Sequence, residues 1–486
     1  MKILFATPEC APFVKTGGLG DVSAALPAAL ADLGHDVRIL LPAYRGMKVN
    51  GEVGDTIDLP AEGPWPAAQL LSLRLERGVT LLLLACPALY QRAGGPYVDA
   101  SGQDYADNAV RFGFLSHVAA RLGTPSTPCP DWQADVVHAN DWPCAMAPLY
   151  LARSRELAPT ATTAASVMTI HNLAFQGVFP MAQADTLEVP WHWRGMEGVE
   201  FWGQLSMLKA GVQFADRITT VSPSYAREIQ TPEFGVGLDG LLRARSSRLV
   251  GILNGIDDRV WNPATDALLP HAYGASDFSG KARNKDALQK RCGLAPDPQA
   301  MLFGVVSRLT PQKGIDWVLQ HLDLILGSGG QLAVLGQGER GLQQALLEAA
   351  AKHPEAVSVT LDFDESLAHW IEAGSDCFLM PSRFEPCGLN QMYSQAYGTP
   401  PVVNATGGLV DSVVDAAAPV GGSGFVMRSA DSAGYAEALT RAQATWAQPS
   451  LWRQLQVNGM ARPFGWSSSA SMYVDLYRFA LEEIRS

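Results

Sequence analysis

The chain has 486 residues, 47 % of them apolar and only 17 % charged, with 36 basic and 48 acidic side chains for a net charge of −12. Single hydrophobic cores stop growing near 250–300 residues, so two domains are expected, and a disordered chain, a coiled coil and a collagen-like rod are excluded. The acidic balance argues against a broad nucleic-acid-binding face but leaves room for a small anionic ligand held by a few local cations. The seven cysteines (10, 86, 129, 144, 292, 377 and 387) form no C-x-x-C pair, so neither a zinc ribbon nor a redox pair is expected, and reduced thiols are.

In chain order, Lys2–Thr7 reads as a first strand, too short an apolar run for a signal peptide. With no span-length apolar stretch nearby and no leader ahead of Met1, a cytoplasmic protein is expected. A Gly-rich turn follows, then a helix over Asp21–Leu33 and a strand over Val37–Leu41. Leu81–Cys86, Val136–Ala139, Ser166–Ile170 and Arg217–Val221 read as further buried strands separated by helical patterns. This alternation predicts a parallel sheet covered on both faces.

The pattern restarts near residue 250. Leu249–Leu253 runs into the turn pair Asn254-Gly255, and a polar stretch over 262–285 follows. Met301–Val306, Gln331–Leu335, Val357–Leu361, Cys377–Met380 and Pro401–Val403 read as a second set of strands. Gly17-Gly18-Leu19-Gly20-Asp21 echoes Gly407-Gly408-Leu409-Val410-Asp411, a pattern that suits two similar domains. Ser467–Arg485 carries apolar residues at helical spacing, with serines available as an N-cap.

Four segments carry chemistry. In Lys15-Thr16-Gly17-Gly18-Leu19-Gly20-Asp21, glycines allow close ligand approach or positive φ, a helix N-terminus attracts anions, and Lys15 adds a full charge. The alternative is an ordinary tight turn; the Lys-Thr pair favours a diphosphate cradle. A dinucleotide fingerprint fails twice: Ser23 replaces the third glycine, and the second strand ends in Leu41-Pro42-Ala43-Tyr44 without an acid. No Gly-Lys-Ser/Thr follows either, so it is no P-loop.

In Val305–Gly314, Arg308 and Lys313 leave a strand end five residues apart, where they could neutralise a departing diphosphate rather than merely decorate a loop. In Pro381–Asn390, Glu385 sits in a turn between strand and helix, placed to hold sugar hydroxyls or to act as a helix-start acid. His138–Trp142 and Thr169–Gly177 are strand ends followed by polar residues. Asp141 and His171 there would suit sugar hydroxyls, and Trp142 a sugar ring face. Asp362-Phe363-Asp364 matches a metal-binding Asp-x-Asp, but an N-cap with acidic first-turn residues explains it without metal.

Together these segments resemble bacterial glycogen synthases and plant starch synthases. Lys15–Val22 is the family's N-terminal signature. CPALY (86–90), GGPY (94–97), HANDW (138–142), TIHNLAFQG (169–177), TTVSPSYARE (219–228), LNGID (253–257), VVSRLTPQKG (305–314), PSRFEPCGLNQMY (381–393) and TGGLVDS (406–412) follow in family order.

The resemblance implies a glycosyltransferase-B fold, α/β, with two Rossmann-like domains facing a cleft. Residues 1–250 would form the acceptor-side domain and 251–466 the donor-side domain, with a helix over 467–486 crossing back onto the first. It implies glucosyl transfer from ADP-glucose to the 4-hydroxyl at the non-reducing end of an α-1,4-glucan, with retention and without metal or organic cofactor.

Carried over by motif, Lys15 and the Gly17-Gly18 backbone would contact the donor diphosphate or its glucose, and Arg308 and Lys313 the departing ADP. Asp141 and His171 would face the glucosyl and acceptor region, and Glu385 the glucose hydroxyls, with Cys387 and Gly388 lining its turn. Asp21, Trp142, Asn254, Leu389, Asn390, Gly407 and Gly408 complete the implied substrate contacts. Pro143 follows Trp142 where relatives often have His, and Asn390 stands where relatives vary. Tyr393 stands eight residues after Glu385, where many other retaining transferases carry a second Glu, which argues against sucrose-synthase-like relatives. The competing readings are a same-fold transferase using UDP-glucose or another acceptor, and a non-catalytic glucan-binding protein; the presence of Lys15, Arg308, Lys313 and Glu385 disfavours the latter.

Overall fold

The computed structural model describes residues 1–48, 54–129 and 131–485. The 467–486 range named above thus ends on Ser486, outside the described residues. The chain divides into two compact units, Met1–Gly255 with Trp466–Ser486, and Ile256–Gly465.

The first unit carries β1 (Lys2–Ala6), β2 (Asp36–Pro42), β3 (Thr56–Leu59), β4 (Ala68–Arg74), β5 (Thr80–Ala85), β6 (Val136–Asn140), β7 (Ala165–Ile170), β8 (Val178–Pro180), β9 (Glu200–Phe201), β10 (Gln204–Ser206), β11 (Arg217–Thr220) and β12 (Leu249–Gly251). Nine of them form one sheet in the order β12-β11-β7-β6-β1-β2-β5-β4-β3. The strands from β12 to β5 pair in parallel, and β4 and β3 add antiparallel at one edge. β8, β10 and β9 form a small antiparallel sheet beside it. The central strands read as continuous apolar runs because both faces are covered.

One layer of that cover is the helix Trp466–Arg485. Its buried Trp466, Ala470, Tyr473, Val474, Tyr477 and Ala480 recur at helical spacing and join Ile3, Phe5, Val22, Leu26 and Val167 in one core. Tyr477 OH lies 2.8 Å from His138 Nδ1, and Ser469 Oγ donates to Leu253 O at 2.6 Å. His138 Nε2 meets Thr169 Oγ1 at 2.5 Å, so this buried imidazole is a satisfied core group.

The second unit carries β13 (Leu302–Val306), β14 (Gln331–Leu335), β15 (Val357–Thr360), β16 (Cys377–Met380), β17 (Pro401–Val403) and β18 (Phe425–Val426). All pair in parallel, in the order β15-β14-β13-β16-β17-β18. Phe303, Val305, Leu332, Val334, Leu379, Val402 and Tyr435 fill one face, and Leu302, Ala333, Phe378 and Val403 the other, the period-2 division of a sheet covered on both sides.

In each unit the strand order turns back once, between β1 and β6 and between β13 and β16. Loops leaving neighbouring strands at such a point diverge and open a crevice at the carboxyl ends of the strands, where open α/β sheets bind ligands. The segments after β1, β6, β13 and β16 carry motifs, joined by Thr169–Gly177 after β7 and Gly407-Gly408 after β17.

One expectation needs correction: the first helix spans Gly18–Asp32 rather than starting at Asp21. The Gly17 and Gly407 segments each follow a strand and open a helix, as expected, but the first follows β1, the strand at the turning point, and the second follows β17, one strand beyond it. The seven cysteines are all free, and among the described residues no helix is long and apolar enough to cross a membrane.

Candidate active site

The loop after β1 is held from behind by Glu9, which is 4 % exposed. Its carboxylate accepts from Thr16 N and Thr16 Oγ1, both at 2.6 Å, from Gly17 N at 3.2 Å and from Tyr97 OH at 2.5 Å. The amides of Thr16 and Gly17 are therefore occupied by the protein's own carboxylate. The next amides, those of Gly18 and Leu19, open the helix Gly18–Asp32 as first-turn N–H groups without intrahelical partners, while Gly20 N donates to Gly17 O at 3.2 Å.

Gly17 is the N-cap of that helix at φ −160°, an extended rather than left-handed conformation, and a Cβ there would meet nothing within 4 Å. The open space over an exposed Gly17 suits close approach by a ligand; positive φ is not what the position requires. Lys15 Nζ pairs with Asp21 Oδ1 at 2.9 Å, each about a third exposed. Such a pair is worth little in water, so the ammonium exchanges partners at low cost.

At the end of β6, Asp141 adopts φ 54°, unusual for a side-chain-bearing residue. Its Oδ1 accepts from His171 N at 2.7 Å and Asn172 N at 3.4 Å, tying the loop after β7 to that after β6. Burial pushes its carboxyl up to about 7, against the opposing effect of those two amides. Burial also lowers His171 to about 3, so its imidazole is neutral. Asn140 Nδ2 donates to Ala6 O at 3.0 Å and His138 O at 3.3 Å, which leaves Asn140 Oδ1 to accept from His171 Nε2 at 2.9 Å. The proton therefore sits on Nε2, and Nδ1 carries the lone pair.

Trp142 stands among Phe112, Tyr97 and Phe179, with ring centroids 4.8, 6.2 and 6.0 Å away. Gly177, at φ 57°, supports it closely: a Cβ there would lie 2.4 Å from the indole. Tyr97 thus links the Glu9 loop to the Asp141 loop, through its hydroxyl to the one and its ring to the other. Asn254 stands apart, beyond the edge strand β12. It is buried, and its Oδ1 has no hydrogen-bond partner among the described residues.

In the second unit, Arg308 is exposed after β13, and its guanidinium makes no hydrogen bond or ion pair among the described residues. Gly314, at φ 72°, brings this loop against that after β16; a Cβ there would lie 2.3 Å from Pro381 O. Across this contact Lys313 Nζ meets Glu385 Oε2 at 2.5 Å. The Glu385 turn rests on two glycines. Gly407, at φ 45°, would place a Cβ 2.0 Å from Glu385 O, and Gly408 one 2.3 Å from Cys387 O. Gly408 N donates to Glu385 O and Pro386 O at 3.2 and 3.1 Å.

Gly388, at φ 70°, turns the chain into the helix Asn390–Ala396, with Leu389 as its N-cap and Cys387 buried just before. Asn390 Nδ2 donates to Val306 O at 2.6 Å, pinning the helix start to the end of β13. Lys313, Glu385, Cys387, Gly388, Asn390, Gly407 and Gly408 therefore share one site, with Arg308 on the same loop as Lys313. Arg383 braces it, clamping Asp316 at 2.7 and 2.6 Å and lying 3.9 Å over the Trp317 ring.

Asp364 caps the helix Glu365–Gly374, accepting from Leu367 N at 2.8 Å and pairing with Arg291 at 2.7 Å, as an N-cap requires. Glu9 and Tyr97 escaped the sequence analysis as site residues. An acid seven residues ahead of Thr16, in a stretch of small and apolar residues, was the available signal.

Residues 2–244 match the family model for the starch synthase catalytic domain, and residues 300–444 that for glycosyl transferases group 1. The chain is 61 % identical to the glycogen synthase of Paracidovorax citrulli, over 98 % of this chain and 94 % of the relative. It is 53 % identical to that of Aromatoleum aromaticum, over 98 % and 96 %. The catalytic domain of starch synthase IV from Arabidopsis thaliana, solved with ADP and acarbose, superposes with a TM-score of 0.88 at 32 % identity over 99 % of each chain. A sucrose-phosphate synthase from Thermosynechococcus elongatus shares the fold alone, at 16 % identity and a TM-score of 0.59.

Proposed function

The chain belongs to the bacterial glycogen synthase and starch synthase family, and we infer that it moves an α-glucosyl unit from ADP-glucose to the non-reducing-end 4-hydroxyl of an α-1,4-glucan. It has the glycosyltransferase-B fold of that family. The observation that carries the reading is the Lys313–Glu385 pair resting on Gly407-Gly408 at the turning point of the second sheet. It sets a cation and a carboxylate side by side, as transfer from a sugar diphosphate requires.

In the reaction the bond from glucose C1 to the diphosphate oxygen breaks and a bond from C1 to the acceptor O4 forms on the same face, while the acceptor's proton is released. Negative charge grows on the leaving diphosphate and positive charge on C1. Arg308 and Lys313 stabilise the first, and Glu385 holds the glucose hydroxyls beside the second. Groups fixed in place before the reaction act most strongly where charge develops. Lys15 and the amides from Gly18 onward take the diphosphate or its glucose. His171 Nδ1, bearing a lone pair, accepts from a sugar hydroxyl, and Asp141 holds that loop in register. The free thiols suit a reducing, cytoplasmic setting.

The test is ADP release from ADP-glucose with glycogen in excess EDTA, with UDP-glucose run in parallel. Glycogen-dependent ADP release that survives EDTA is expected. Release from UDP-glucose alone would change the donor, and release from neither would overturn the reading.

A further inference from the structure

Two strained apolar residues stand side by side on the surface of the first unit. Trp202 occupies the turn between β9 and β10 at φ 52° and is 81 % exposed. Val236 adopts φ 47° and is 47 % exposed. Left-handed backbone is uncommon for any residue with a side chain, and for a β-branched one it is an outlier. Such strain persists only where the surroundings enforce it, and it gathers at ligand sites. An exposed indole also gains no burial energy that would offset it.

The surroundings do enforce it. Gly237 packs flush against the hairpin: a Cβ there would lie 3.1 Å from the Phe201 ring and 3.2 Å from Trp202 Nε1. Glu200 Oε1 accepts from Gly203 N at 2.6 Å and closes the turn. Gln176 Nε2 donates to Val236 O at 2.9 Å, while Gln176 O accepts from Ser206 Oγ at 3.2 Å and Leu208 N at 3.1 Å. Gln176 belongs to the same loop as His171 and directly precedes Gly177, on which Trp142 rests. The end of β10 and the Val236 turn are thus fastened to the loop that carries the candidate sugar-facing residues.

We propose that Trp202 and Val236 form a stacking platform for the acceptor glucan, beyond the sugar that reacts. The proposal rests on the glucan synthase reading. An indole face complements the C–H face of a glucose ring, and neither Trp202 nor Val236 carries a charge for an anionic partner. A second copy of the chain is a poor occupant. One indole and one isopropyl group bury on the order of 200 Å², against roughly 800 Å² per partner in a stable interface.

Trp202→Asn removes the aromatic face while tolerating the left-handed backbone, so the variant is expected to fold. Migration in native gels containing glycogen and steady-state kinetics give the readout. The expected result is lost retardation in the gel and a KM for glycogen raised about fivefold or more, with the loss in KM rather than kcat. Trp202→Phe restores most of it. Trp191→Ala, which removes an indole 82 % exposed in the separate turn Trp191–Trp193, behaves as wild type.

A Trp202→Asn enzyme whose retardation and glycogen KM stay within about twofold of wild type overturns the proposal. So does a change of oligomeric state on size exclusion with the glycogen KM unmoved. If the wild type transfers glucose to no glucan, the synthase reading fails, and Trp202-dependent retardation by glycogen still decides the platform.

Discussion

Lys313 Nζ and Glu385 Oε2 stand 2.5 Å apart with side chains 16 % and 9 % exposed, so each is the other's main compensation for leaving water. Removing one partner of such a pair strands the other, at a cost of about 3 kcal/mol or more. Lys313→Ala is therefore expected to lower the urea midpoint markedly. The double variant Lys313→Ala/Glu385→Ala should recover part of the loss, with a coupling energy on the order of 1–3 kcal/mol. Additive losses would mean that the pair is not coupled.

The catalytic consequence is separable. Glu385→Ala should abolish most turnover while leaving ADP affinity within about threefold, since the proposed function gives the diphosphate to Arg308 and Lys313 and the glucose hydroxyls to Glu385. Isothermal titration with ADP beside single-turnover kinetics checks this. Wild-type turnover in that variant would remove Glu385 from the reaction.

Acid stability in the first unit has a predictable sign. Burial lowers His138 and His171 to about 3 and His117 to about 4. Between those values and the ordinary 6.5 the unfolded chain binds protons that the folded unit refuses, so stability falls as pH drops below 6.5. Asp141, raised to about 7, acts the other way: the folded unit holds a proton that the unfolded chain releases, so its contribution shrinks as pH rises from about 4 to 7. Each group tilts the curve by up to about 1.4 kcal/mol per pH unit, and the histidines outnumber the carboxyl. Calorimetry should show melting temperature falling from pH 6.5 to pH 5, and falling more steeply in Asp141→Asn. A shallower fall in that variant would refute the sign assigned to Asp141.

The strands at the centre of each sheet were legible because covered parallel strands are unbroken apolar runs, and the motif loops because their glycines and charges lie close together in sequence. Edge features were not. Thr56–Leu59 carries only one buried residue in four, too little to mark β3 as a strand. The Gly17 and Gly407 echo, four matches in five residues, fits two similar domains, yet strand order alone decides which loops correspond and no local pattern contains it. Glu9 and Tyr97 meet across 88 positions, a pairing that only the fold creates.

That pairing makes Glu9 a positioning residue with its own test. Glu9→Leu keeps roughly the volume but removes both acceptor oxygens, Oε1 from Thr16 Oγ1 and Tyr97 OH and Oε2 from Thr16 N and Gly17 N. The loop that presents Lys15 should loosen, raising the KM for ADP-glucose about tenfold with a smaller effect on the KM for glycogen. Equal effects on both substrates would point to general destabilisation instead.

Glycines in the motifs divide into those the fold needs and those it does not. Gly407→Ala places a Cβ 2.0 Å from Glu385 O at φ 45°, so backbone must move and the Glu385 turn is displaced. Gly177→Ala drives a Cβ into Trp142 at 2.4 Å and is expected to be comparably disruptive. Gly17→Ala differs: φ is −160° and the space over it is empty to 4 Å. As an N-cap change it should shift stability by less than about 1 kcal/mol, a few degrees in melting temperature. If the empty space over Gly17 is where the donor's diphosphate or glucose lies, the same methyl group should cut kcat/KM for ADP-glucose by about tenfold or more. A Gly17→Ala enzyme with both wild-type melting and wild-type kinetics would show that no ligand passes over this glycine, and within this loop the proposed donor contact would then fall to Lys15 and the helix amides.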